Sequence, residues 1–73
     1  QFGVSYPELV NRHRVDEARR ILSDPRFQEE KILGVAFEVG YNNKTTFNMV
    51  FKRLTGSTPS EYRKKVFAMK NSD

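Results

Sequence analysis

Two short apolar repeats of helical spacing, separated by a glycine, constrain the fold of this 73-residue chain most. In each repeat, apolar residues stand at i, i+3, i+4 and i+7, the positions that share one face of a helix. The first repeat is Ile32, Val35, Ala36 and Val39, and the second is Phe47, Val50, Phe51 and Leu54. Gly40 lies between them, where a left-handed residue can end a helix. This order predicts a helix-turn-helix.

Capping residues set the expected ends of these two helices. The first is predicted over residues 29–39, with Glu29 and Glu30 in its first turn, where the helix dipole favours negative charge. The second is predicted from Lys44 to about Thr55, because Asn43 is a good N-cap and Gly56 can end the helix.

A longer helix is predicted before this unit, from Ser5 to about Ser23. Ser5 can cap it, Pro7 is tolerated in its first turn, and Glu8 sits at the capping-box position. Asp24-Pro25 should stop it, and Phe27 in the connection that follows is expected to pack onto the core. Its inward side is expected to carry Tyr6, Leu9, Val10, His13, Ala18, Ile21 and Leu22.

A last helix is predicted after Gly56. Residues 58–61 (Thr-Pro-Ser-Glu) form a complete capping box with proline at the first helical position, and the end of the helix is expected to fray after about Met69. The apolar residues expected to pack inward are Tyr62, Val66 and Phe67. The predicted fold class is therefore all-α: a small domain of about four helices containing one helix-turn-helix, homeodomain-like in type.

Charge is distributed unevenly along the chain. Residues 1–39 hold six basic and seven acidic side chains, whereas residues 40–70 hold seven basic side chains against Glu61 alone. A basic half suits a polyanionic partner, and its helix-turn-helix spacing favours nucleic acid over a membrane surface. No apolar run approaches the roughly 20 residues of a membrane span. A merely solvated basic face is the alternative.

The chain resembles the DNA-binding domain of the AraC/XylS family of bacterial transcription regulators, over essentially residues 3–66. The residues that carry the resemblance are Ile32, Val35-Ala36, Val39-Gly40-Tyr41, Phe47, Val50-Phe51-Lys52, Thr55-Gly56 and Thr58-Pro59-Ser60-Glu61-Tyr62-Arg63. The resemblance implies two helix-turn-helix units joined by a long helix. Residues 1–24 would then be the linker helix and residues 25–73 the second unit with its closing helix. The first unit is expected upstream of Gln1. An effector-sensing domain is expected elsewhere in the full-length protein, and the protein is expected in the bacterial cytoplasm.

The residues expected to contact DNA follow from the outward face of the second repeat. Lys44 can donate to guanine, Asn48 can bond both edges of adenine, and Thr45 and Met49 can contact thymine methyl groups. The predicted base-contacting residues are Lys44, Thr45, Thr46, Asn48 and Met49, positions that also line the groove-facing surface in the family. The predicted phosphate-contacting residues are Asn43, Lys52, Arg53, Arg63 and Lys64. For Lys52 and Lys64 plain solvation is the alternative, whereas Phe47 and Phe51 are expected in the core rather than stacked on bases.

No catalytic, metal or cofactor site is predicted. The chain has a single histidine, His13, and no cysteine, and its sequence shows no nucleophile triad and no phosphate-cradling glycine loop. The leading hypothesis is a sequence-specific double-stranded DNA-binding module, which would bind weakly and with strong salt dependence as a single reading unit. The alternative is a protein-interaction module that uses the same helices to dimerise or to bind a partner such as an RNA polymerase subunit.

Overall fold

The computed structural model describes residues 5–70, with only the backbone of Lys70, and shows four α-helices in that part of the chain. They are α1 (Tyr6–Leu22), α2 (Ile32–Glu38), α3 (Lys44–Thr55) and α4 (Pro59–Lys70), with a 3-10 turn at Pro25–Phe27. Residues 5–70 contain no strand, and α1 contacts each of the other helices. The predicted small all-α fold with one helix-turn-helix is confirmed.

Helix α4 still continues at Lys70, and the expected fraying after Met69 otherwise falls on residues 71–73, outside the described part of the chain. The division into a linker helix (residues 1–24) and a second unit (residues 25–73) stays a prediction. In the described residues, α1 shares one hydrophobic core with the helices that follow it. No helix in residues 5–70 is both long enough and apolar enough to cross a membrane.

A row of aromatic rings runs through the core and fixes α3 in place. Phe47 and Phe51 are 0% exposed. The ring of Phe47 lies 5.5 Å from Tyr41 in the turn and 5.7 Å from Phe51, and Phe51 lies 5.6 Å from Tyr62 of α4. Edge-on and tilted ring pairs at such distances are favourable beyond the area they bury. The row therefore links the turn between α2 and α3, α3 itself and α4.

Glycines follow the ends of α2 and α3, as predicted. Gly40 adopts a φ of 105° and Gly56 a φ of 91°, in the left-handed region that glycine enters without steric cost. Around the turn, the Gly40 N–H donates to the Phe37 carbonyl at 3.1 Å and the Tyr41 N–H donates to the Ala36 carbonyl at 2.8 Å. These bonds satisfy carbonyls that the end of α2 would otherwise leave unpaired, and they turn the chain towards α3.

The predicted inward face of α1 is wrong in its first half. Tyr6 is 78% exposed, Leu9 is 54% exposed, and His13 is also exposed. The side that faces the other helices instead follows heptad-like spacing: Glu8, Asn11, Val15, Ala18 and Leu22. Because the first two of these are polar, apolar periodicity could not identify this stripe, and Val15 was not predicted to be buried.

The connection between α1 and α2 also differs from its prediction. Helix α2 begins at Ile32 rather than at Glu29, because the chain first makes a turn in which the Glu30 N–H donates to the Phe27 carbonyl at 3.0 Å. Phe27 lies at the surface rather than in the core, since the 3-10 turn directs it outward, and the Arg26 guanidinium lies 5.5 Å from its ring. The inward face of α2 is as expected, with Val35 and Ala36 buried.

Two glycine substitutions should have opposite effects on stability. Gly34 lies inside α2, and a methyl group there would meet only the mobile carboxylate end of the exposed Glu30 side chain. Gly34→Ala should therefore raise the free energy of unfolding by about 0.5–1 kcal/mol, through helix propensity. Gly40→Ala should lower it, because its φ is 105° and the Arg14 guanidinium lies 3.1 Å from the added carbon. Urea denaturation measures both, and equal effects of the two changes would contradict this account.

The stability of the fold should depend on the ionisation of Asp24. Hydrogen bonds from the Arg26 side chain and then from the Arg26 backbone N–H hold the pKa of Asp24 at about 2, below its ordinary 3.8. A depressed pKa contributes stability above about pH 4, and that contribution is lost as the pH falls towards 2. Asp24→Asn keeps an acceptor for the Arg26 N–H, so the melting temperature should fall less steeply with acid between pH 4 and pH 2. Asp16→Asn, on the exposed side of α1, is the matched control.

Candidate nucleic-acid interface

Helix α3 presents a polar face to solvent because its apolar face is buried. Its N-terminus is set by Asn43, whose side-chain oxygen accepts a hydrogen bond from the Thr46 N–H at 2.7 Å. Among the predicted base-contacting residues, Lys44 and Thr45 are exposed and Met49 is 63% exposed. These three side chains occupy the outward surface that a duplex could approach.

The other two predicted base-contacting residues are half-buried. Thr46 has intermediate exposure, and its backbone N–H donates to the Asn43 cap. Asn48 is also half-buried, and its side-chain oxygen is buried without a hydrogen-bond partner. Bonding to both edges of adenine needs the oxygen and the nitrogen of the amide together. Asn48 would therefore have to rotate its side chain to read adenine in the expected way.

Three lysines supply unpaired positive charge around α3. Lys44, Lys52 and Lys64 are exposed, and none forms an ion pair with any residue between 5 and 70. Helix α3 contains no acidic residue, and its charged residues, Lys44, Lys52 and Arg53, are all basic. Such charges attract a polyanion and are screened by salt.

Arg53, a predicted phosphate-contacting residue, is bound within the protein. Its guanidinium donates two hydrogen bonds to the carboxylate of Glu8 in α1, at 3.1 and 3.3 Å. The pair raises the pKa of Arg53, and the hydrogen bond from Arg53 is the main cause that lowers the pKa of Glu8. The Arg53 side chain nonetheless remains 53% exposed.

Arg63, also predicted to contact phosphate, points at the backbone of the α1–α2 connection. Its guanidinium donates to the Glu30 carbonyl at 2.6 Å and more distantly to the Phe27 carbonyl. The side chain therefore joins α4 to the turn before α2. The neighbouring Lys64 has no such bond and is exposed.

Asn11 is a residue that sequence reasoning missed. Its side-chain oxygen accepts a hydrogen bond of 2.8 Å from the hydroxyl of Tyr41, which is buried in the helix-turn-helix turn. Burial is the main cause that raises the pKa of Tyr41, so the phenol stays a donor. Together with Glu8 and Arg53, this bond holds the turn and α3 at a fixed position on α1. The signal that could have revealed it is the three-residue spacing of Glu8 and Asn11, in register with Val15.

His13 is exposed, and residues 5–70 contain no cluster of three or more His, Cys, Asp or Glu side chains that could hold a metal ion.

Comparison with known proteins identifies the family. The model of a helix-turn-helix domain matches residues 1–65 of the chain. The HTH-type transcriptional regulator YisR of Bacillus subtilis is 39% identical over 62 residues, which cover 85% of this chain and 21% of that protein. The arabinose operon regulatory protein of Escherichia coli is 35% identical over 63 residues, 86% of this chain and 20% of that protein.

A third relative is the raffinose operon transcriptional regulatory protein RafR of Pediococcus pentosaceus. It is 34% identical over 64 residues, which cover 88% of this chain and 22% of that protein. The chain thus spans about a fifth of the length of these relatives. No solved structure gives a significant match. The match over residues 1–65 and the shared helix-turn-helix sequence show that the chain belongs to the AraC/XylS family of DNA-binding transcription regulators.

Proposed function

We propose that this chain binds double-stranded DNA with sequence preference, by inserting α3 into a major groove. One observation carries the proposal: Lys44, Thr45 and Met49 are exposed on α3, while Phe47 and Phe51 on its other side are completely buried. An α-helix with its side chains is about 10–12 Å across, which matches a major groove about 12 Å wide. The exposed face can therefore approach the base edges without disturbing the core.

The exposed side chains suit different parts of a duplex. Lys44 can donate to guanine or to a phosphate, and Thr45 and Met49 offer methyl groups that fit beside the C5-methyl of thymine. Lys52 lies further along α3 and Lys64 lies on α4, where unpaired ammonium groups are suited to the phosphate backbone. In this proposal, residues in the first two turns of α3 determine which bases are preferred, and the surrounding lysines supply much of the affinity.

Two further partners are proposed, the first from the family resemblance and the second from the protein-interaction alternative. An effector-sensing domain elsewhere in the protein would control DNA binding, and an RNA polymerase subunit would contact the bound regulator.

A protein-interaction role is the second candidate, and exposed apolar side chains favour it. Tyr6 and Leu9 lie on the outward side of α1, and Leu33 and Phe37 lie one turn apart on α2. Backbone amide shifts measured by NMR distinguish the two roles. DNA should perturb residues 44–52 first. Self-association should instead perturb α1 or α2 as the protein concentration rises, without DNA.

Substitutions on α3 should separate base recognition from phosphate binding. Met49→Ala should weaken the preference at the base position that Met49 contacts, by at most the roughly 1–3 kcal/mol that one base pair contributes. Lys52→Ala should weaken binding to all sequences alike and reduce the salt slope by about one phosphate contact. Fluorescence anisotropy with a library of duplexes at several salt concentrations measures both effects. Equal, salt-insensitive binding to every duplex would remove the proposal.

Neighbouring cations on α4 should have different roles. Arg63→Gln should lower the free energy of unfolding by roughly 1–2 kcal/mol, because the Glu30 carbonyl loses a charged donor. Lys64→Gln should leave stability unchanged and weaken DNA binding, because its side chain is exposed and unpaired. Thermal unfolding and duplex titration on the same two variants test the contrast. A loss of DNA affinity in a stable Arg63→Gln variant would instead show that Arg63 contacts phosphate, as the sequence predicts.

A further inference from the structure

The carboxylate of Glu8 lies between two guanidinium groups. It accepts two hydrogen bonds from Arg53 of α3, and the Nε atom of Arg12, one turn along α1, lies 3.6 Å from it. Two arginines that approach one carboxylate form an anion-binding arrangement, because the guanidinium fork matches carboxylate and phosphate equally well.

The position of Glu8 in its helix makes this arrangement informative. Glu8 and Glu61 both stand at the capping-box position, three residues after a hydroxyl cap. Glu61 uses its carboxylate locally and accepts a hydrogen bond of 3.0 Å from the Thr58 N–H. The Glu8 carboxylate instead crosses to α3. If another anion took the place of Glu8 beside the arginines, the Glu8 carboxylate could instead accept a hydrogen bond from the Ser5 N–H, as Glu61 does from the Thr58 N–H.

Both guanidinium groups can be reached from solvent at the margin of α3. The side chain of Arg53 is 53% exposed and that of Arg12 is 56% exposed, whereas that of Glu8 is only 24% exposed. Arg53 also follows Met49 by four residues, so the two side chains lie on the same row of the helix surface. A duplex that received Met49 in its major groove would therefore also approach the row of the helix surface that carries Arg53.

We propose that Arg12 and Arg53 form a phosphate-binding pair, and that Glu8 occupies it in the free protein until a DNA phosphate displaces the carboxylate. This inference rests on the proposed DNA binding and adds Arg12 to the interface. The free energy needed to displace Glu8 lowers the affinity for every duplex by the same factor, because the backbone phosphate carries no base identity. Glu8 is thus an internal competitor that reduces non-specific binding without altering base preference.

A double-mutant cycle on the whole chain tests the competition. Glu8→Gln should bind a random-sequence duplex roughly 2- to 5-fold more tightly in 0.1 M salt, the range of an exposed ion pair. The same substitution in an Arg53→Gln background should give a smaller gain, because only Arg12 is then released. Glu17 is the matched control, since it also carries one negative charge on α1 but pairs with Arg20 of the same helix. Thermal unfolding verifies that each variant is folded.

Each other result overturns the inference. A gain that equals that of Glu17→Gln, or that is undiminished without Arg53, would reflect net charge alone. Weaker binding by Glu8→Gln would make Glu8 a positioning residue for Arg53. If the unaltered chain binds no duplex in a salt-dependent way, the proposed function itself fails, and that result is distinct from the others.

A second measurement needs no variant, so it holds even if Glu8→Gln does not fold. The Arg53 side-chain Nε–H and the Glu8 carboxyl carbon can both be followed by NMR while a duplex is added to the unaltered chain. Both resonances should shift to a new position at saturation. A Glu8 carboxyl resonance that stays unchanged at saturation would show that the carboxylate is not displaced.

Discussion

The row of rings from Tyr41 through Phe47 and Phe51 to Tyr62 is the interaction on which the rest of the structure depends. Each ring lies 5.5–5.7 Å from the next, and together they join the turn, α3 and α4. In a chain of 73 residues the core is small, so a few large apolar side chains supply much of its stability. The orientation of the exposed face of α3 is a direct consequence of burying the opposite face.

Polar contacts with α1 complete the positioning of α3. The Asn11 side chain accepts a hydrogen bond from the Tyr41 hydroxyl in the turn, and Glu8 forms an ion pair with Arg53 near the end of α3. The rings hold α3 against the core, and these bonds restrain its angle on α1. Movement of the first turns of α1 would therefore be transmitted to α3 through side chains rather than through the backbone.

Much of the fold could be predicted from residue spacing and capping chemistry. The bounds of α3, the left-handed glycines and the capping box of α4 follow from local sequence, because each depends on residues within four positions of each other. The first half of α1 could not be predicted, since polar residues occupy its inward stripe and apolar ones its exposed side. The same limit applies to the site: exposure of Lys44 and Met49 follows from periodicity, whereas the partners of Arg53 and Arg63 lie 45 and 33 residues away in the chain.

The outward face of α3 has a consequence for how such a protein can diversify. Lys44, Thr45 and Met49 contribute nothing to the buried core, and none forms an ion pair or a side-chain hydrogen bond within residues 5–70. Exchanging them costs little in folding free energy, because surface substitutions away from caps and networks are usually close to neutral. The fold can therefore tolerate many different side chains at these three positions. The surface chemistry of α3 can therefore change during evolution while the fold that presents it stays the same.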